Sequence, residues 1–172
     1  MVMDTNSLRH IFSRVDADKS GSISANELQT SLSNGLGTPF NIRTVQLMVA
    51  MFDRDMNGTI NFNEFCSLFK YVQDWQTCFR RYDRDNSGSI DLNEFSNALI
   101  SFGYHLSPQF VNLMMRRFDR NRRGFIAFDD FIYACVCLQT LTGEFGRYDC
   151  RGIGHTVFSF EQFLTSAFAV II

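Results

Sequence analysis

Residues 83–94 read Asp-Arg-Asp-Asn-Ser-Gly-Ser-Ile-Asp-Leu-Asn-Glu, and the same pattern occurs at residues 16–27 and 53–64. Each copy has oxygen-bearing side chains at positions 1, 3 and 5, Gly at position 6, Ile at position 8 and Glu at position 12. One acidic turn of this kind arises by chance, but three full copies with the same Gly, Ile and Glu do not. The chain is therefore built on an internal repeat.

This spacing is typical of the calcium loop of an EF-hand. Calcium takes six to eight oxygen ligands at about 2.3–2.6 Å, and the Gly allows the sharp turn that brings them together. Position 7 offers its backbone carbonyl, and Glu at position 12 closes the site with both carboxylate oxygens. The Ile at position 8 points away from the ion and can pair with the Ile of a neighbouring loop. We therefore predict Ca²⁺ as the cofactor.

The predicted ligands occupy positions 1, 3, 5, 7 and 12 of three loops. They are Asp16, Asp18, Ser20, Ser22 and Glu27 in the first loop, Asp53, Asp55, Asn57, Thr59 and Glu64 in the second, and Asp83, Asp85, Ser87, Ser89 and Glu94 in the third. The third loop also has Asp91 and so has four acidic residues, whereas the others have three each. Because ligand charge contributes to affinity, we expect the third loop to bind most tightly, then the first, then the second.

Two further copies of the repeat are degenerate. In residues 119–130, Arg123 stands where an oxygen ligand is needed, and Asp130 is shorter than Glu. In residues 149–160, Arg151, Ile153 and Phe160 replace three of the usual ligands. We predict that neither loop binds calcium and that the fifth is structural.

The spacing of the five loops predicts an all-α fold. Loops begin at residues 16, 53, 83, 119 and 149, so the steps alternate between 36 or 37 residues and 30 residues. A short step leaves room for a single helix shared by two hands, predicted at Phe62–Tyr82 and Phe128–Tyr148. A long step leaves two helices and a break, where Pro39 and Pro108 occur. Residues 1–172 thus form one predicted domain of five EF-hands.

EF-hands work in pairs, so hands one and two pair, as do three and four, and the fifth is left unpaired. Its final segment carries apolar residues at helical spacing: Phe163, Leu164, Ala167, Phe168 and Ile171. We expect this hand to pair with a fifth hand of another chain, as a homodimer or a heterodimer. The alternative is that the apolar stripe folds back on its own chain.

Composition and missing motifs exclude several other functions. The net charge is −2 and no long run has one sign, so nucleic-acid binding by a basic face is not expected. The three His residues lie in no catalytic motif, and no phosphate-binding Gly-rich loop is present, so we predict no enzyme. The start of the chain shows no secretory signal, and the five Cys include no Cys-x-x-Cys, which predicts reduced thiols and a cytoplasmic location.

Several stretches resemble the penta-EF-hand family, particularly its branch with the apoptosis-linked calcium-binding protein and peflin. They include Thr38-Pro39-Phe40-Asn41, Phe102-Gly103-Tyr104, Ile126-Ala127-Phe128-Asp129-Asp130-Phe131 and Glu161-Gln162-Phe163-Leu164. The resemblance covers the whole chain. It departs from that branch in the second loop, which is well formed here, and at His105, where the branch has an Arg.

The resemblance implies a fold, partners and a partner pocket. Family members dimerise through the fifth hand, expose an apolar surface when calcium binds, and then associate with membranes or Pro-rich segments of other proteins. The positions that match the family's aromatic partner pocket are Tyr71, Trp75, Phe102, Tyr104 and Phe160.

Three functions follow from these observations. The first is a calcium sensor and adaptor that is cytoplasmic and becomes peripheral on membranes when calcium is bound. The second is a calcium-responsive regulatory subunit of an enzyme, in which the fifth hand pairs with a different protein. The third is a calcium buffer that binds the ion but barely opens.

Overall fold

A computed structural model describes residues 4–149 and 152–169. The helices in these residues are α1 (Thr5–Val15), α2 (Ala25–Ser31), α3 (Ile42–Phe52), α4 (Phe62–Tyr82), α5 (Leu92–Ser101), α6 (Pro108–Phe118), α7 (Phe128–Gly146) and α8 (Phe160–Phe168). Two short strands, β1 (Ile90–Asp91) and β2 (Phe125–Ile126), complete the described elements. The predicted all-α EF-hand fold is confirmed.

The chain divides into two compact units, Met1–Phe131 and Ile132–Ile172. The first contains the three acidic loops and the fourth loop, and the second contains most of α7 and the fifth loop. The prediction of one domain over residues 1–172 stays a prediction. Within the described part of the chain, none of the helices is both long and apolar enough to cross a bilayer.

Each exiting helix of the first three hands begins at a reciprocal cap. The side chain at position 9 accepts a hydrogen bond from the backbone amide at position 12, and the Glu at position 12 accepts one from the backbone amide at position 9. The pairs are Ser24 with Glu27, Asn61 with Glu64, and Asp91 with Glu94. The residue that is predicted to close each calcium site therefore also fixes the start of the following helix.

Backbone hydrogen bonds between position-8 isoleucines join the loops in pairs. The Ile23 amide donates to the Ile60 carbonyl at 2.8 Å, and the Ile60 amide donates back at 2.9 Å. In the other pair, β1 and β2 are antiparallel, with Ile90 opposite Ile126. All four side chains are buried. The pairing of hand one with hand two and of hand three with hand four is thus confirmed.

The shared helices follow the loop spacing. Helix α4 runs from Phe62 to Tyr82, as predicted. Helix α7 begins at Phe128 but ends at Gly146, two residues before the predicted end. The amides of Tyr148 and Asp149 both donate to the Phe145 carbonyl at 3.0 Å, which tightens the chain into a turn before the fifth loop.

Aromatic rings at the centre of the first unit pack α4 against the start of α7. Phe79 makes edge contacts with Phe128 at 5.3 Å and with Phe131 at 5.5 Å between ring centroids. Phe40, from the segment before α3, contacts Phe128 at 6.0 Å. These rings are buried, and truncating one such Phe to Ala typically costs about 3–5 kcal/mol of stability. This packing fixes the helices from which the loops project.

Candidate calcium centre

The first four loops share one backbone conformation. Position 4 has a positive φ of 52–57° in all four: Lys19, Met56, Asn86 and Arg122. The Gly at position 6 has φ between 78° and 86° in each. An L side chain at that φ is strained even where space is open, which explains the Gly at this position.

The Asp at position 1 organises the turn. In the third loop, the Asp83 carboxylate accepts hydrogen bonds from the amides of Ser87 at 2.9 Å and Gly88 at 3.0 Å. The Ser87 hydroxyl also donates to the carbonyl of Ser89 at 3.1 Å. The side chain at position 5 and the carbonyl at position 7 are thus adjacent, as a seven-oxygen calcium site requires.

The first and second loops repeat this geometry with small changes. Asp16 accepts from the amides of Ser20 and Gly21, both at 3.0 Å. In the second loop, the Thr59 amide donates to the Asn57 side-chain oxygen at 2.8 Å. The three loops therefore have the same backbone frame. Position 5 is Ser in the first and third loops and Asn in the second.

Three carboxylates converge in each of these loops. One oxygen from each lies within 4.8 Å of the other two in the triads Asp16–Asp18–Glu27, Asp53–Asp55–Glu64 and Asp83–Asp85–Glu94. The clustered donors are oxygens, the ligand type that calcium prefers. The structure brings together the predicted acidic ligands of each loop, and the residues fit the ion.

Electrostatics distinguish the second loop from the other two. Hydrogen bonds from the Ser20 hydroxyl and amide hold the pKa of Asp18 below its ordinary value, and those from Ser87 do the same to the pKa of Asp85. In the second loop, partial desolvation, a hydrogen bond shared with Asp53 and the nearby charge of Glu64 raise the pKa of Asp55. A proton therefore competes with a cation at Asp55, although hydrogen bonds from the backbone amides of Gly58 and Asn57 lower the pKa of the neighbouring Asp53.

The fourth loop contains a positively charged side chain that pairs with its carboxylates. Arg120, at position 2, donates from Nε to Asp130 Oδ2 at 2.7 Å and from Nη2 to Asp129 Oδ2 at 2.8 Å. Arg123, which the sequence pointed to, is exposed. The sequence does not predict the role of Arg120. Arg also occupies position 2 of loops two and three, so Arg at this position does not distinguish the fourth loop.

The fifth loop keeps the turn but shifts its end. Asp149 accepts from the amides of Ile153 at 3.1 Å and Gly154 at 2.7 Å, as in the calcium loops. The capping pair is Ser159 with Gln162, so α8 begins two residues later than a frame of 149–160 requires. The residue equivalent to Glu at position 12 is therefore Gln162, which corrects the assignment of Phe160 to that position. Arg151 lies outside the described residues.

Comparisons with known proteins agree with this geometry. The EF-hand domain pair family matches residues 5–70 and 72–136. The chain is 96% identical to a sorcin from Schistosoma japonicum over 172 residues, which cover 100% of both chains. It is 41% identical to human sorcin over 158 residues, covering 90% of this chain and 79% of that one.

The chain belongs to the penta-EF-hand family. It is also 40% identical to zebrafish (Danio rerio) peflin over 157 residues, covering 91% of this chain and 58% of that one. A solved structure of a homologue of programmed cell death 6 protein from Leishmania major matches with a TM-score of 0.85 and 34% identity, covering 96% of this chain and 95% of that one. Calcium is the cofactor of this penta-EF-hand protein.

The predicted partner residues of this penta-EF-hand protein lie in three places: on α4, after α5 and at the start of α8. Tyr71 and Trp75 are half-buried on α4 with ring centroids 6.1 Å apart. Phe102 follows α5 and contacts Tyr82 at 5.6 Å. Tyr104 is half-buried two residues further along, and its amide donates to the Leu99 carbonyl at 2.9 Å.

Phe160 begins α8 in the second unit and is 77% exposed. A single pocket formed by all five aromatic residues stays a prediction.

Acidification is expected to empty the second loop first. The raised pKa of Asp55 means that acidification protonates it at a higher pH than Asp18 or Asp85, and a protonated Asp55 must lose its proton before calcium binds. Calcium affinity should be measured from about pH 7 to about pH 5 in two variants, one with only loop two intact and one with only loop three intact. The affinity of loop two should fall more steeply.

The matched control for this experiment is Asn57→Ser, which gives loop two the position-5 hydroxyl of its neighbours. It should reduce the pH dependence of loop two. Equal pH dependence in loops two and three of the unaltered protein would contradict the electrostatic difference.

Proposed function

We propose that this penta-EF-hand protein is a calcium sensor and adaptor. The observation that carries the proposal is helix α4, which joins two acidic loops without a break. Glu64 lies in its first turn, and Asp83 caps its end. Sensor EF-hands respond to calcium by changing the angle between their helices and uncovering an apolar groove. An ion at either end of α4 acts on the same rigid element.

Half-buried aromatic residues on α4 link it to neighbouring hands. Tyr71 contacts Phe52 at the end of α3, with ring centroids 5.2 Å apart. Trp75 contacts Phe131 in the first turns of α7 at 5.9 Å. A change in the angle of α4 would alter both contacts and expose more of these rings. Such a surface suits a Pro-rich segment of a partner protein, since aromatic-lined grooves bind such segments.

The fifth hand supports assembly. Five apolar residues in the second unit are between 53% and 93% exposed: Ile153, Val157, Phe160, Phe163 and Phe168. Exposed apolar groups of this number mark interaction surfaces. We propose that this hand pairs with the fifth hand of a second copy across a two-fold axis, which would restore the pairing that hands one to four achieve within the chain.

The proposed location is the cytoplasm, with calcium-dependent association with membranes. The same uncovered apolar surface would serve membranes and partner proteins. The alternatives, a regulatory enzyme subunit and a calcium buffer, are outcomes of the experiments below.

The sensor role predicts a change at Trp75, the only Trp of the chain. Its emission spectrum should shift during a titration with calcium at about 10⁻⁷–10⁻⁵ M, the range of sensor EF-hands, in the presence of magnesium. The variant Glu64→Gln/Glu94→Gln, which lacks the closing ligand of loops two and three, should not shift in that range. No shift of the unaltered protein up to millimolar calcium would leave a buffer or a structural subunit.

Dimerisation through the fifth hand predicts a loss of assembly when a charge is placed on α8. Phe163→Glu should convert the dimer into a monomer, measured by sedimentation equilibrium. Phe110→Glu is the matched control, because Phe110 is an exposed Phe on α6 in the first unit. A protein that is monomeric before any substitution would favour pairing with a different chain, as in a regulatory enzyme subunit.

A further inference from the structure

The second and third loops close in the same way at position 12. The backbone amide at position 2 donates to the Glu carboxylate there: Arg54 to Glu64 at 2.9 Å and Arg84 to Glu94 at 2.8 Å. The side chains of these two arginines take no part in this contact.

In the fourth loop the closing carboxylate is one methylene shorter, because Asp130 replaces Glu. The contact is made instead by the guanidinium of Arg120, which reaches Asp130 with Nε and Asp129 with Nη2. A planar guanidinium can donate to two carboxylates at once, which an ammonium group cannot do with the same geometry. Arg120 thus supplies positive charge beside Asp130, at the end of the fourth loop. In the first three loops, a bound calcium ion would supply this charge.

The same two carboxylates also hold the start of α3. The Asn41 amide donates to Asp129 Oδ2 at 2.6 Å, and the Asn41 side-chain amide donates to Asp130 Oδ1 at 2.8 Å. The Thr44 hydroxyl donates to the Asp129 carbonyl at 3.2 Å. Asn41 is the N-cap of α3, since its side-chain oxygen accepts from the Arg43 amide at 3.0 Å.

Burial makes these contacts necessary. Asp129 is 0% exposed, and Asp130, Asn41 and Thr44 are also buried. Among the described residues, no hydrogen-bond partner is found for Asp129 Oδ1. A buried carboxylate that lacks a counter-charge is strongly destabilising, so the placement of both acids depends on Arg120. The Arg120 side chain is 42% exposed, so it can be substituted without opening a buried cavity.

Helix α3 connects this network to the second calcium loop. It runs from Ile42 to Phe52 and ends at Asp53, which occupies position 1 of that loop. A helix of this length is a rod of about 16 Å. Asn41 and Thr44 are two separate contact points at the start of this rod, so together they set the direction in which α3 brings Asp53 into the loop.

We propose that Arg120 is a positioning residue for the second calcium site. It acts as a built-in cation that keeps the fourth hand closed without calcium, and through Asp129, Asp130 and Asn41 it sets the start of α3. The inference rests on calcium binding in loop two and is independent of the sensor role.

The test isolates loop two by using the background Glu27→Gln/Glu94→Gln. In that background, Arg120→Gln should weaken calcium binding by more than twofold and up to about tenfold, the lower limit for partners that touch a metal ligand directly. Arg123→Gln is the matched control, since it removes the same charge from the same loop and Arg123 is exposed. It should leave the affinity unchanged within twofold, and Arg120→Lys should recover part of the loss.

Hydrogen exchange separates positioning from a general loss of stability. In Arg120→Gln, the amides of residues 41–45 and 119–130 should lose protection together, although the two segments are far apart in the sequence. Equal affinity in the Arg120→Gln and Arg123→Gln proteins would overturn the proposal, as would loss of protection confined to loop four. If the Arg123→Gln control itself binds no calcium, the assignment of calcium to loop two fails instead.

A second variant covers the case in which Arg120→Gln does not fold, as judged by circular dichroism. Thr44→Val removes only the hydroxyl that donates to Asp129, and it should weaken binding in loop two in the same direction but less. An unchanged affinity of loop two in a folded Thr44→Val protein, together with an unfolded Arg120→Gln protein, would reduce the network to a structural role and overturn the proposal.

Discussion

Two short backbone ladders join the first four EF-hand loops in pairs. Each consists of main-chain hydrogen bonds through the isoleucine at position 8, between Ile23 and Ile60 in one pair and Ile90 and Ile126 in the other. These side chains are buried, so each ladder fixes its two loops against the core. A hand without a partner loop lacks this contact, which is why an odd number of hands leaves one with an exposed apolar surface.

The same loop frame is closed in two ways. In the first three loops, Glu at position 12 accepts backbone amides at both ends of the loop, and the site offers oxygens to a cation. In the fourth loop, the shorter Asp130 is paired with the side chain of Arg120. Hands one, two and three are therefore ligand sites, while hand four is a fixed element against which the start of α3 rests.

Much of the fold could be predicted because the EF-hand motif is local. The loop spacing predicted α4 and the pairing of the hands, since a short step has room for one helix only. The network around Arg120 could not be predicted, because Asn41 meets Asp129 only in the folded chain. The end of the fifth loop was placed two residues early, because counting from Asp149 does not reveal extra residues before the Ser159 cap.

The central claim is that three loops bind calcium while the fourth and fifth do not. Native mass spectrometry of the protein in excess calcium, with single Glu→Gln variants at Glu27, Glu64 and Glu94, tests it most directly. The account predicts three calcium ions per chain and the loss of one with each variant. Fewer than three ions in the unaltered protein, or a variant that loses none, would contradict it.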